Sequence, residues 1–108
     1  MDKKLALDGL AALSQETRLD VFRALVQAGH DGLSAGDIAE SLGVVQNTLS
    51  SHLKKLEHAG LVSSQRRGRQ IIYGADFGAV RGLILFLMQD CCLSSREVCE
   101  PIAASLKC

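Results

Sequence analysis

Four cysteines stand in the last eighteen positions of this 108-residue chain: Cys91 and Cys92 side by side, Cys99 seven residues on, and Cys108 at the end. Thiolates are soft ligands that select soft, thiophilic ions. Zinc favours four ligands in a tetrahedron, often with paired Cys-x-x-Cys knuckles or histidine. Here there is no such knuckle, and no histidine follows His58. Adjacent cysteines followed by a third suit a three-coordinate centre better, and trivalent arsenic or antimony takes three thiolates in a pyramid. Spacing alone leaves arsenite and zinc both open. Two other readings stand beside ion binding: three clustered thiols can sense oxidation, and Cys91 can simply pack at a helix end. The candidate ligand set is Cys91, Cys92 and Cys99, with loop 93–96 folding back to bring Cys99 to the pair. Cys108 is left out because it is terminal.

A different chemistry sits in residues 45–59, VQNTLSSHLKKLEHA. At 100° per residue, Val45, Leu49, Leu53 and Leu56 fall on one stripe, the spacing of a helix packed on a core. The opposite face carries Asn47, Ser51, Lys54 and His58, flanked by Thr48, Ser50 and Lys55, with no acid until Glu57. A solvated face usually mixes Glu with Lys. Asn, Thr, Ser and Lys suit phosphate oxygens and base edges.

The neighbouring stretches sharpen this. Ser34 to Asp37 reads as a capping box opening a short helix through about Leu42, with Ile38, Ala39 and Leu42 apolar and Gly43 ending it. Two helices across a tight turn make a helix-turn-helix. Gly60 stops the second helix. Residues 61–65 and 70–74 then read as two strands, with Arg66, Arg67, Gly68 and Arg69 at the hairpin tip. That hairpin is a wing able to reach DNA backbone or minor groove. An amphipathic helix alone is usually core packing, and an arginine-rich tip alone is often a solvated turn. The whole series within residues 34–73, basic on both outward elements, is much rarer.

One domain's length and a nearly half apolar composition provide for a single core. Twelve basic and twelve acidic residues cancel, so net charge does not announce a nucleic-acid partner. The distribution does. Residues 1–45 hold four Lys/Arg against seven Asp/Glu, whereas residues 46–75 hold Lys54, Lys55, Arg66, Arg67 and Arg69 against Glu57 alone. A local basic surface on a neutral protein allows salt-sensitive, releasable DNA binding.

Residues 3–13 read as a first helix, with Leu5, Leu10 and Leu13 on or near one face. Ser14 caps a second, 15–28, with Leu19, Phe22, Leu25 and Val26 as its core stripe. His30 to Gly32 is a connecting turn. Asp76 caps a last long helix from Phe77 to about Cys91, apolar almost all round over 80–88. Such a helix must bury two faces. One meets the domain core, and the other most simply meets a second copy, giving a twofold dimer with two recognition helices about one DNA turn apart. Pro101 opens a short terminal helix, 101–106, as its first residue. Residues 1–90 are read as the DNA-binding and dimerisation domain and 91–108 as a cysteine-bearing tail. No signal peptide or membrane span is read, so the expected location is the cytoplasm, with reduced cysteines.

Three stretches together carry a family resemblance. The run from Ala12 to Leu19 (ALSQETRL) resembles the second-helix start of ArsR-type winged-helix repressors. Residues 46–53 (QNTLSSHL) resemble their recognition-helix motif, and residues 57–62 (EHAGLV), with Arg67, Gly68, Arg69 and Tyr73, resemble their wing. The likeness covers about residues 5–90. Val45 departs from the Ser or Thr usual there, losing an N-cap side chain worth about 1 kcal/mol, and Asn47 stands where the family has Pro or a small residue. One group of these sensors carries a cysteine box in the helix before the recognition helix, but residues 36–40 have no cysteine. Another uses Asp and His on the terminal helix, but after Asp76 no histidine follows. The Cys-Cys-x6-Cys tail instead resembles a subgroup of trivalent-arsenic sensors, some of whose relatives prefer methylated arsenic through fewer thiols.

The expected protein is a mainly α winged helix-turn-helix homodimer, ordered α-α-α-α-β-β-α, that represses transcription from double-stranded operator DNA. Gln46, Asn47, Thr48, Ser50 and Ser51 face the major groove. Lys54, Lys55, Arg66, Arg67 and Arg69 meet phosphates or minor groove. His52, nearer the buried stripe, is at least half structural. The inducer is trivalent arsenic, as arsenite or methylarsenite, with antimonite a further candidate, held by Cys91, Cys92 and Cys99. The alternative is the same fold with a disulfide trigger. A thiol enzyme would want an anion loop or a Cys-x-x-Cys at a helix start, and neither is present. A metalloid buffer with vestigial DNA binding would not need the basic hairpin.

Overall fold

The computed structural model describes residues 1–89 and 97–106. In chain order the elements are α1 (Lys3–Leu13), α2 (Glu16–Ala28), a 3-10 turn (Gly29–Asp31), β1 (Leu33–Ser34), α3 (Ala35–Leu42), α4 (Gln46–His58), β2 (Val62–Arg67), β3 (Gln70–Ala75), α5 (Phe77–Met88) and α6 (Cys99–Ser105). The expected order is present, with β1 added to it and the expected short terminal helix following as α6.

The helix-turn-helix forms for local reasons. Ser34 Oγ accepts the Asp37 amide at 3.1 Å and opens α3. Gly43 closes α3, and the Val44 amide returns to the Ala39 carbonyl at 3.0 Å, turning the chain into α4. From α4, Leu49, Leu53 and Leu56 enter the core and meet Val21, Leu25, Ile38 and Leu61, all essentially without solvent contact. Each buried leucine contributes about 1.5–3 kcal/mol, enough to fix which face of α4 points outward.

The hairpin of β2 and β3 pairs from Val62↔Ala75 to Arg67↔Gln70. The turn is therefore only Gly68 and Arg69, tighter than the four-residue tip expected, and Arg66 and Arg67 belong to β2. Gly68 has φ +63, the left-handed conformation that so short a turn requires. The third strand, β1, lies on the other edge of β3, with Leu33↔Tyr73 and Ser34↔Ile72. Gly32 makes this approach possible, since at φ +66 a Cβ there would collide with the Tyr73 carbonyl oxygen.

Several sequence expectations change. Leu5 and Leu10 of α1 are exposed, and α1 packs instead through Ala6, Gly9 and Ala12. Small residues let the helix backbone come close, so the leucines are left outside. Leu19 and Val26 are exposed likewise, and Val21 takes the core position in α2. Gln15, not Ser14, caps α2: its Oε1 accepts the Arg18 amide at 2.8 Å, while Ser14 Oγ donates back to the Ala11 carbonyl. Val45 is 70% exposed, because it precedes α4 in extended backbone and misses the stripe. Asp76 caps α5 as expected, accepting the Ala79 amide at 3.0 Å, but α5 ends at Met88. The terminal helix starts at Cys99, placing Pro101 inside its first turn, where no intrahelical donor is needed. The expected boundary at residues 90 and 91 lies outside the described residues.

Candidate nucleic-acid interface

Every side chain expected on the DNA side of α4 is exposed: Gln46, Asn47, Thr48, Ser50, Ser51, Lys54 and Lys55. So are Arg66, Arg67 and Arg69 of the hairpin. Leu49, Leu53 and Leu56, all at 1% exposure or less, anchor the opposite face of the helix. Val45 supplies no side-chain cap, so the first amides of α4 keep their hydrogens for an outside acceptor. A phosphate oxygen is well suited to that place.

The polar side chains are not equivalent. Ser50 Oγ donates to the Gln46 carbonyl at 3.1 Å. With its proton so used, Ser50 turns an acceptor outward and suits a base amino group better than a phosphate. Arg66 Nε donates to the Gly68 carbonyl at 3.3 Å, which steadies the wing tip and does not use its terminal nitrogens. Glu57, the acid of this stretch, accepts from Ser64 Oγ at 3.3 Å and so ties the end of α4 to β2. Burial, and then the Glu57 charge, push the Tyr73 phenol above its ordinary pKa, so it stays neutral.

His52 is half-buried, with Nδ1 3.4 Å from Arg18 Nη1. Burial, then the charges of Arg18 and Lys55, hold its pKa below 6.5 and favour the neutral ring. The expectation that His52 is partly structural agrees with this. The Arg18 contact was missed, since nothing in the periodicity of α2 points across the fold to α4. Beside Arg18 opens a cleft of about 420 Å³, bounded by Asp8, Ala11 and Ala12 of α1 and by Lys55, His58 and Ala59.

Of the expected ion ligands, Cys91 and Cys92 lie outside the described residues. Cys99 opens α6 and is disulfide-bonded, unlike the reduced thiol expected. A sulfur in a disulfide has no thiolate to give, so reduction must precede any ligation. Among the described residues, no group of His, Cys, Asp and Glu is placed to hold a metal ion. Nor is any helix among them long and apolar enough to cross a membrane.

A helix packed by its leucines, polar and basic outward, and followed by a basic hairpin defines a winged helix-turn-helix DNA-binding protein. Comparisons with known proteins agree. A family model described as a helix-turn-helix domain matches residues 13–65. The HTH-type transcriptional regulator YgaV of Escherichia coli is 32% identical over 83 residues, covering 77% of this chain and 82% of that protein. The putative arsenical resistance operon repressor ArsR2 of Halobacterium salinarum is 34% identical over 62 residues, 57% of this chain and 51% of its own. Among solved structures, an ArsR-like transcriptional regulator from Rhodococcus sp. RHA1 superposes with TM-score 0.73 at 27% identity, covering 97% of this chain and 96% of that one. The homodimeric winged helix-turn-helix domain of Mb0332 from Mycobacterium bovis gives TM-score 0.66 at 26% identity, over 79% and 77%. The chain belongs to the ArsR family of winged-helix DNA-binding transcriptional regulators.

Proposed function

We propose that the protein is a dimeric, cytoplasmic repressor that leaves its operator when trivalent arsenic binds Cys91, Cys92 and Cys99. The observation that carries DNA binding is the exposed polar and basic face of α4 beside the arginine wing. Dimerisation is supported by apolar side chains left without cover on two elements: Leu5, Leu7 and Leu10 on α1, and Ile84, Leu85 and Leu87 on α5. A second copy buries them and sets two copies of α4 in successive major grooves. The Mb0332 domain, homodimeric by description, supports the same reading.

The inducer reading rests on the donor set and on the arsenical-resistance relative. Three thiolates match the coordination of arsenite or antimonite, and fewer suffice for methylarsenite. Binding draws together the chain on either side of residues 93–96 just beyond α5, and so acts on the helix that would hold the dimer. Coupling of this kind is typically about 1–3 kcal/mol and is reciprocal, so operator DNA weakens the inducer's binding by the same factor. The disulfide at Cys99 favours a second reading, in which oxidation and not a metalloid releases DNA.

One experiment separates the two. An operator is selected from random duplexes, labelled, and bound to the reduced protein. Arsenite, methylarsenite, antimonite, zinc and peroxide are then titrated in. Release by trivalent arsenicals or antimonite, abolished in Cys92→Ser, supports the metalloid reading. Release by peroxide alone replaces it with the redox trigger.

A further inference from the structure

We propose that Arg18 is a positioning residue for DNA recognition, pinning α4 to the corner between α1 and α2 through His52. The inference rests on α4 being the recognition helix and is independent of the inducer.

From its place on α2, Arg18 reaches α1 and α4 with its guanidinium. Its Nε donates to the Ala12 carbonyl at 2.6 Å. Ala12 lies in the last turn of α1, where carbonyls lack an intrahelical partner. The Arg18 amide is held by the cap of its own helix, through Gln15 Oε1 at 2.8 Å. Its Nη1 reaches His52 Nδ1 on α4 at 3.4 Å, across 34 positions of sequence. Guanidinium only donates, so Nδ1 must present its lone pair and the ring proton must sit on Nε2. A neutral His52 is what its surroundings favour.

The geometry gives this contact a mechanical role. Leucines hold the inner face of α4. On the side toward α1 the open cleft separates Asp8 and Ala11 from Lys55 and His58. Apolar packing, which there includes Ala12 and Ala59, leaves part of that side open, and Arg18 is a polar brace across it. Thr48 and Lys55, one turn before and after His52, are the DNA-facing side chains whose placement follows most directly. Without the brace α4 is free to tilt into the cleft, and recognition that needs two helices at a fixed separation suffers most.

The test uses the full chain and operators whose half-sites are one base pair closer, unchanged or one farther apart. Arg18→Lys keeps the charge but lacks the fork that reaches two acceptors. The expected result is an operator affinity lower by about tenfold, the scale of coupling between contacting residues, with a cooperative unfolding transition retained. Binding to non-specific duplex stays as in wild type, and discrimination among the three spacings shrinks. His52→Asn, which puts an amide oxygen near the Nδ1 position, retains affinity and spacing preference. His52→Leu loses both, and adding Arg18→Lys to it costs nothing further. Independent, multiplying losses would overturn the proposal, as would wild-type spacing discrimination in a folded Arg18→Lys protein. If Arg18→Lys does not fold, the contrast between His52→Asn and His52→Leu decides alone. A wild-type protein that prefers no duplex sequence would instead remove the reading of α4, and the proposal with it.

Discussion

The basic face makes a quantitative prediction about salt. A cation seated on a DNA phosphate releases a counterion, and the logarithm of affinity then falls with the logarithm of salt by about 0.9 per contact. In a twofold dimer each substitution acts twice, so losing one such cation flattens the slope by about 1.8. Arg67 is the cleanest choice. It is exposed at the end of β2, paired through its backbone with Gln70, and Arg66 rather than Arg67 holds the wing tip through the Gly68 carbonyl. Arg67→Ala should therefore leave the hairpin folded and change only the outward charge. Affinity would be measured by fluorescence anisotropy on the selected operator and on an unrelated duplex, from about 50 to 200 mM salt. Both duplexes should lose affinity, and both slopes should flatten by the same amount. Asn47→Ala is the control: it should lower affinity for the operator alone and leave the slope unchanged, because base contacts carry sequence and not counterion release. An unaltered slope for Arg67→Ala would show that the wing does not reach phosphate.

Two further outcomes are open to direct measurement. The pKa of His52 is depressed in the folded protein, so between its ordinary value of 6.5 and the lower folded value the unfolded chain takes up the proton first. The stability this gives is full above pH 6.5 and is lost as pH falls through the folded value; thermal unfolding from about pH 7.5 to 5.5 should drop more steeply in wild type than in His52→Asn, and equal slopes would refute it. Leu85, 62% exposed on α5, is read as covered in the dimer. Leu85→Glu should give a folded monomer by light scattering and lose operator binding more than non-specific binding, whereas an intact dimer would place the interface elsewhere.

What the sequence determined alone is the part whose physics is local. The Ser34 cap on Asp37, the leucine stripe of α4, Asp76 at the start of α5 and the glycine at the wing tip each act within one or two turns of chain. Once Leu49, Leu53 and Leu56 are committed to a core, Asn47, Ser51 and Lys54 must face outward, so the outward face of α4 was legible before any coordinates. Tertiary structure decided what depends on which surfaces meet. The leucine pattern of α1 suggested a core face, yet Ala6, Gly9 and Ala12 are what let it approach Leu61 and Leu83 closely. Two residues of β1 are too few to show a period, and only the register against Tyr73 and Ile72 makes them a strand. Arg18 and His52 are 34 residues apart, and neither helix's own pattern names the other as its partner. A hydrogen bond across a fold is fixed by how helices are stacked, and that packing decides which helix angle is offered to DNA.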